Sequence, residues 1–412
     1  MKVHVVLVNT YGVAIRAQPT DLKENPISSI RSRRQILNQN GEEAITNPPS
    51  VSNTTTVQPS KEDSNAAITY PQADNEISLE QDGLKNDARS IRNALIASPV
   101  DTFTIIKTLT GKTRAKRVRV AEEYKLLFKS QITEDLKQKL SDHWFKNLVI
   151  SLLIPLKEYY VKELYKAVHG VGTDEDALMD ILCTVNNEEI RQIKEIYENT
   201  YKSTFEADIR CDTSGYFKEL LVALIKAERD ESGKADNLQA VADAKTLYDA
   251  GEGKFLGTDE STFITILTQR NYEQLTLIFD EYQTLAGHSL EYAIECEFSG
   301  FIKEGLLAIV KAVRDPPKYY AERLHASMAG SGTNNKHLIR IVATRNEMDM
   351  DVIKKYYKKD YGITLEEAIA DDTSGDYKTL LLELVRENPC QRKDLLECPI
   401  ITIRRNDEES NS

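Results

Sequence analysis

The feature that most limits what this chain can fold into is a two-part cassette that occurs three times at one internal spacing. Its first part is a glycine turn ending in threonine: Gly170-Val171-Gly172-Thr173, Leu256-Gly257-Thr258 and Gly330-Ser331-Gly332-Thr333. Its second part is an acid shortly before Ser-Gly: Asp212-Thr213-Ser214-Gly215, Glu297-Phe298-Ser299-Gly300 and Asp372-Thr373-Ser374-Gly375. In every copy the acid stands 40 residues after the last glycine of the turn. One copy alone would read as two capped helix ends. Three copies at identical spacing require a repeated unit that holds turn and acid in a fixed relation.

The cassettes set a repeat of 85 residues from Thr173 to Thr258 and 75 from Thr258 to Thr333. Between them apolar residues recur at helical spacing, as in Leu178, Ile181 and Leu182, or Leu220, Leu221, Leu224 and Ile225. Strand-like alternation is absent from residues 86–388, so the fold class is all-α, with room for about five short helices per repeat. A fourth, degenerate copy comes first. Aligning Ile91–Leu95 with Leu164–Val168 puts Ala97-Ser98-Pro99-Val100 at the turn, and Lys139 falls at the acid position. The expected repeats are 86–156, 157–231, 232–315 and 316–388.

Residues 1–85 are read as a head and 389–412 as a polar tail. From residue 18 the head is rich in Asn, Ser, Thr, Pro and Gln and has too little apolar surface to offset the entropy of ordering, so it is expected to be disordered. Its start, Met1–Val8, resembles a weak signal peptide. His4, Asn9 and Arg16 interrupt it, so secretion by this route is not expected. Five cysteines, at 183, 211, 296, 390 and 398, lack zinc-type clustering and suit a reducing compartment. The net charge of −12 argues against non-specific nucleic-acid binding. No apolar run approaches the roughly 20 residues of a membrane-spanning helix, so membrane contact should be peripheral.

The cassette's chemistry points to a hard cation. Glycine lets a turn aim several backbone carbonyls at one spot. The carbonyls of Val168, Gly170 and Gly172 with a bidentate Asp212 would supply about five of the 6–8 oxygens that calcium takes. One carboxylate per ion leaves an unsaturated shell, and a lipid phosphate is a natural completing ligand. Thr173, with Asp176 three residues on, fits the start of the next helix as its cap.

With those residues the chain resembles the annexin family, over 86–388. The resemblance implies four five-helix repeats in a slightly curved disc, with calcium loops on the face that meets acidic phospholipids. It implies one site from Val168, Gly170, Gly172 and Asp212, and another from Met328, Gly330, Gly332 and Asp372. In the third repeat it implies Gly253, Phe255, Gly257 and Glu297, although the loop 251–257 is one residue longer than usual. No site is expected in the first repeat. The family's polar axis falls on Asp180 and Arg340, expected to form a structural pair; its repeat-two arginine is Val185 here.

The expected activity is therefore calcium-dependent binding to acidic phospholipid, without enzymatic chemistry, by a cytoplasmic protein peripheral to membranes or one at an outer cell surface. The competing reading is an adaptor for cytoskeletal or other partner proteins, docking through head and tail. Gly111-Lys112-Thr113 fails as a phosphate loop because Ile106 stands where glycine is needed. The basic run Lys112, Arg114, Lys116, Arg117 and Arg119 is either a solvated helix face or a calcium-independent contact for anionic lipid. Cys211 and Cys296 are read as helix-end packing residues, and Trp144 as core.

Overall fold

The structure is a computed structural model that describes residues 6–8, 14–16 and 73–386. Its amino-terminal unit contains a short antiparallel pair, β1 (Val6–Val8) and β2 (Ala14–Arg16), with Leu7 opposite Ile15. This pair lies in the expected disordered head, in the stretch likened to a signal peptide. The β-branched run Val5, Val6, Val8 followed by Asn9 and Gly12 is the pattern of a hairpin. The rest of the expected disordered head up to residue 72, and the tail with Cys390 and Cys398, lie outside the described residues.

The helical unit holds twenty helices among the described residues, five per repeat. The first repeat has α1 (Ala73–Ile96), α2 (Thr102–Leu109), α3 (Arg114–Phe128), α4 (Ile132–Lys139) and α5 (His143–Leu152). The second has α6 (Leu156–Val168), α7 (Glu175–Leu182), α8 (Asn187–Tyr201), α9 (Phe205–Asp212) and α10 (Gly215–Ile225). The third has α11 (Asn237–Ala250), α12 (Glu260–Gln269), α13 (Tyr272–Ala286), α14 (Leu290–Glu297) and α15 (Gly300–Arg314). The fourth has α16 (Pro316–Met328), α17 (Asn335–Arg345), α18 (Met350–Tyr361), α19 (Leu365–Asp372) and α20 (Gly375–Arg386).

Helix α1 starts well inside the stretch assigned to the head. Leu84, Ala88, Ile91 and Leu95, at steps of four and three, are all buried, which extends the first repeat's core to before residue 85. Side-chain oxygens cap most helices: Asn186 and Thr364 form full capping boxes with Glu189 and Glu367. The repeats associate in pairs. Helix α10 packs on α12 and α15, joining repeats two and three, while α5 and α2 pack on α17 and α20, joining one and four.

The basic run serves this packing. Arg114 donates to the carbonyls of Ser151, Ile154 and Ala343 at 2.7, 2.8 and 2.7 Å. Arg117 is fully buried and reaches the Leu109 carbonyl and Glu347. Lys112 pairs with Asp87 and Arg119 with Glu80. Neither sequence reading of the run holds for Arg114 and Arg117, whereas Arg119 keeps an exposed ion pair on the helix surface. Around a 3.6-residue turn a linear run points in every direction, so part of it faces the core.

At the interface of repeats two and four, Asp180 is buried and accepts from Arg340 Nε at 3.0 Å, as the resemblance implied. Arg323 Nε donates to its other oxygen at 2.9 Å, and His337 Nε2 lies 3.0 Å away. Burial by itself would raise this carboxyl, but His337, Arg323 and Arg340 outweigh it and hold Asp180 well below the usual carboxylate range.

Candidate calcium and membrane site

All four repeats close the loop between their first two helices with the same backbone hydrogen bond. Asp101 N–H donates to Ala94 at 3.1 Å, Asp174 to Ala167 at 3.0 Å, Asp259 to Ala250 at 2.8 Å and Asn334 to Ser327 at 2.7 Å. This bond fixes the correspondence between copies. By its measure the third loop is two residues longer than the other three.

Inside three of these loops the cassette's halves meet. The Thr173 hydroxyl donates to Asp212 Oδ2 at 2.8 Å, Thr258 to Glu297 Oε2 at 2.8 Å, and Thr333 to Asp372 Oδ2 at 2.5 Å. Thr173 and Thr333 also reach the backbone carbonyls of Asp212 and Asp372. Thr173 is not the helix cap that its sequence position suggested. Asp174, Asp259 and Asn334 cap α7, α12 and α17, which frees each threonine to hold the acid.

The backbone explains both glycine elements. Gly172, Gly257 and Gly332 have φ of 78°, 68° and 100°, and Gly215, Gly300 and Gly375, just beyond the acids, have φ of 59°, 65° and 64°. These left-handed conformations cost most other residues about 1–2 kcal/mol. The first set turns the loop back on itself, with a bridge between Gly170 and Gly172 in repeat two. The second turns the chain sharply from the acid-bearing helix into the next.

The electrostatics follow from where the helices stop. Val168 and Met328 end α6 and α16, and Asp212, Glu297 and Asp372 are the last residues of α9, α14 and α19. The last carbonyls of a helix have no intrahelical donor and carry its negative pole. In repeats two and four the turn thus places a helix's terminal carbonyl beside a half-buried carboxylate at a second helix's negative end, and in repeat three the carboxylate stands at such an end beside the longer loop. Around the repeat-two turn, Glu175 is raised by burial and by the charges of Asp174, Asp176 and Asp212.

Among the described residues no cluster of three or more His, Cys, Asp or Glu could hold a metal. The donors these turns offer are backbone carbonyls and one carboxylate, an oxygen set of the kind that calcium takes. The His169 imidazole is turned away, stacked on Tyr165 with its Nδ1 3.1 Å from the Tyr165 carbonyl. In the third loop the Gly251 carbonyl accepts from Lys254 N–H, whereas Gly253 packs against Tyr248, where a Cβ would meet the Tyr248 carbonyl at 3.0 Å. Of the two glycines, it is Gly251 whose carbonyl is engaged in that turn's hydrogen bond.

The first repeat keeps the loop and loses the chemistry. Ala97, Pro99 and Val100 occupy the positions of Gly170, Gly172 and Thr173, and Lys139 ends α4 where an acid ends α9.

Apolar side chains crown the turns: Val171, Phe255 and Leu256 are 111%, 97% and 79% exposed. A cavity of about 450 Å³ lies between the turns of repeats two and four, bordered by Trp144, Lys166, Phe301 and Lys336. Trp144 is only half-buried there, not core. Cys211 and Cys296 are exposed beside the site acids, and Cys183 is buried.

Comparison with known families matches residues 159–224, 242–309 and 319–384 to the annexin family, and these stretches fall in repeats two, three and four. Annexin A5 of Cynops pyrrhogaster is 42% identical over 303 residues, which cover 74% of this chain and 93% of that protein. This chain belongs to the annexin family. Among solved structures, annexin III aligns with a TM-score of 0.71 at 38% identity, covering 74% of this chain and 94% of that one. A calcium-bound annexin (Sm)1 aligns with a TM-score of 0.66 at 30% identity, covering 74% and 90%. Annexins are non-enzymatic membrane-binding proteins, and among the described residues of this one no helix is long and apolar enough to cross a membrane.

Proposed function

We propose that this annexin binds acidic phospholipid membranes peripherally when calcium rises, through repeats two, three and four. The observation that carries the reading is the threonine-to-acid hydrogen bond, present in all three cassettes. Such a bond supports the reading because it ties each carboxylate to the glycine turn whose carbonyls would join it around an ion. In repeat two the ligands are the carbonyls of Val168, Gly170 and Gly172 with the Asp212 carboxylate. In repeat three they are Gly253, Phe255 and Gly257 with Glu297, and in repeat four Met328, Gly330 and Gly332 with Asp372.

Calcium held there would supply a positive charge with open positions in its shell, which a lipid phosphate would complete. The chain's residues do the rest. The threonines orient the acids, the glycines expose the carbonyls, and Val171, Phe255 and Leu256 enter the interface. Full burial of such side chains is worth about 1.5–3 kcal/mol each, enough to add to a weak ion bridge without anchoring the protein permanently. Reversible membrane scaffolding, vesicle apposition or surface protection would follow from this contact, inside the cell or on its outer face. The adaptor reading rests on head and tail segments outside the described residues, and no observation here favours it.

Co-sedimentation with phosphatidylserine vesicles tests the proposal. Wild-type protein should pellet with calcium and stay in solution with chelator, and Asp212→Ala, Glu297→Ala and Asp372→Ala together should abolish pelleting. A wild-type protein that stays in solution at millimolar calcium would overturn the function. Pelleting retained by the triple variant would overturn the site assignment.

A further inference from the structure

Each repeat carries a buried tyrosine at one position of its third helix, Tyr124, Tyr197, Tyr282 and Tyr357. In repeat one the Tyr124 hydroxyl donates to Asp135 on α4 at 2.6 Å, and Ser130 donates to the same carboxylate at 2.8 Å. In repeat two Tyr197 and Ser203 hold Asp208 on α9 in the same way, at 2.7 and 2.8 Å. Repeat three has lost both partners: Ala293 stands at the aspartate position and His288 at the serine position.

The constellation nevertheless survives. Tyr282 donates to Glu252 Oε2 at 2.9 Å, and His288 Nε2 lies 3.1 Å from Glu252 Oε1. The carboxylate has moved from the fourth helix to the calcium loop, into the stretch where that loop is longer than its counterparts. In repeat four, with Ile363 and Ala368 at these positions, Tyr357 faces His325 at 3.5 Å and the short loop has no such acid.

We propose that Glu252 is a positioning residue for the repeat-three calcium turn. It pins the base of the longer loop to α13 and to the segment before α14. Gly253, next in sequence, is held by its own N–H to the Tyr248 carbonyl at 2.8 Å. The loop is thereby divided into an anchored base and a presented tip that carries Phe255, Leu256 and Gly257. In repeats one and two the equivalent carboxylate stands on the fourth helix, where Asp135 also takes Arg92 of α1 at 2.8 Å and Asp208 lies 3.7 Å from His169 at the end of α6. In repeat three it ties the binding loop itself, which offsets the extra freedom of two added residues. The proposal rests on the calcium reading of this repeat.

The test uses full-length protein with an indole reporter, Leu256→Trp for repeat three or Val171→Trp for repeat two, titrated with calcium over phosphatidylserine vesicles. Glu252→Ala should raise the repeat-three midpoint about tenfold, the lower end of what outer-shell partners of a metal usually contribute. The repeat-two midpoint should not move. Adding Ala293→Asp and His288→Ser to Glu252→Ala rebuilds the repeat-two arrangement around Tyr282. That variant should recover the parent's thermal stability while its repeat-three midpoint stays raised. An unchanged midpoint in Glu252→Ala overturns the role. So does a rebuilt variant that recovers midpoint and stability together, because Glu252 would then be merely an acceptor for Tyr282. A reporter parent with no calcium response at repeat three overturns the calcium reading itself, a failure visible before Glu252 is touched.

Discussion

The threonine of each cassette shows how a residue's role depends on its neighbour. Sequence spacing offered Thr173 as a helix cap, but Asp174 takes that role and Thr173 grips Asp212 instead. The pairing of turn and acid was legible because it recurs at a fixed distance; which hydroxyl joins them was not, since capping and bridging threonines look alike in one dimension. Thr173→Val keeps the shape and removes the donor. Calcium titration with the Val171→Trp reporter should show a raised repeat-two midpoint, with stability changed by only about 1 kcal/mol. An unchanged midpoint would make the threonine incidental.

Asp180 makes a second prediction at this scale. Replacing it with Asn leaves Arg323, Arg340 and His337 facing a neutral group, which should cost about 3–5 kcal/mol in urea unfolding. Its folded pKa is depressed, so the stability it contributes is fully present above the unfolded carboxylate value of about 3.9 and is lost as pH falls below it. The gap between wild type and Asp180→Asn should therefore narrow as pH falls below about 4. A gap that widens on acidification would contradict the assignment. Sequence pointed to Asp180 and Arg340; Arg323 and His337 were invisible because they converge only through packing.

At the scale of elements, period and spacing revealed most helices, while sidedness was harder. Leu84, Ala88, Ile91 and Leu95 lie on one face of α1, yet polar composition around them masked a helix that starts before the expected repeat. The basic run misled in the opposite sense: charge suggested surface, whereas Arg114 and Arg117 bind carbonyls and Glu347 inside the repeat-one to repeat-four contact. Helix contact also explains a glycine outside the cassettes. On α15 a Cβ at Gly305 would meet Leu220 Cδ2 of α10 at 2.5 Å. Gly305→Val should overpack this contact and destabilise the protein by about 1–3 kcal/mol in denaturant melts, more than any gain in helix propensity. A neutral or stabilising result would mean that the two helices can move apart freely.

For the molecule as a whole, the proposed unit of function is the cassette carried by a repeat, while packing joins repeats two with three, one with four and two with four. Repeat one separates the two properties. It closes its loop with the same hydrogen bond as the others and packs through α2 and α5 on repeat four, yet has neither the glycine turn nor the acid. Losing both halves together follows if neither half binds alone. The repeat-three clamp on Glu252 was not legible at all, because it links a loop insertion to substitutions on another helix that only the fold brings side by side.

Anomalous scattering from crystals of the full chain grown with calcium tests the central claim most directly. Ions should appear beside Asp212, Glu297 and Asp372, each within reach of its turn's carbonyls, and none beside Lys139. An ion at the repeat-one loop, or empty loops in all three cassette repeats, would contradict it.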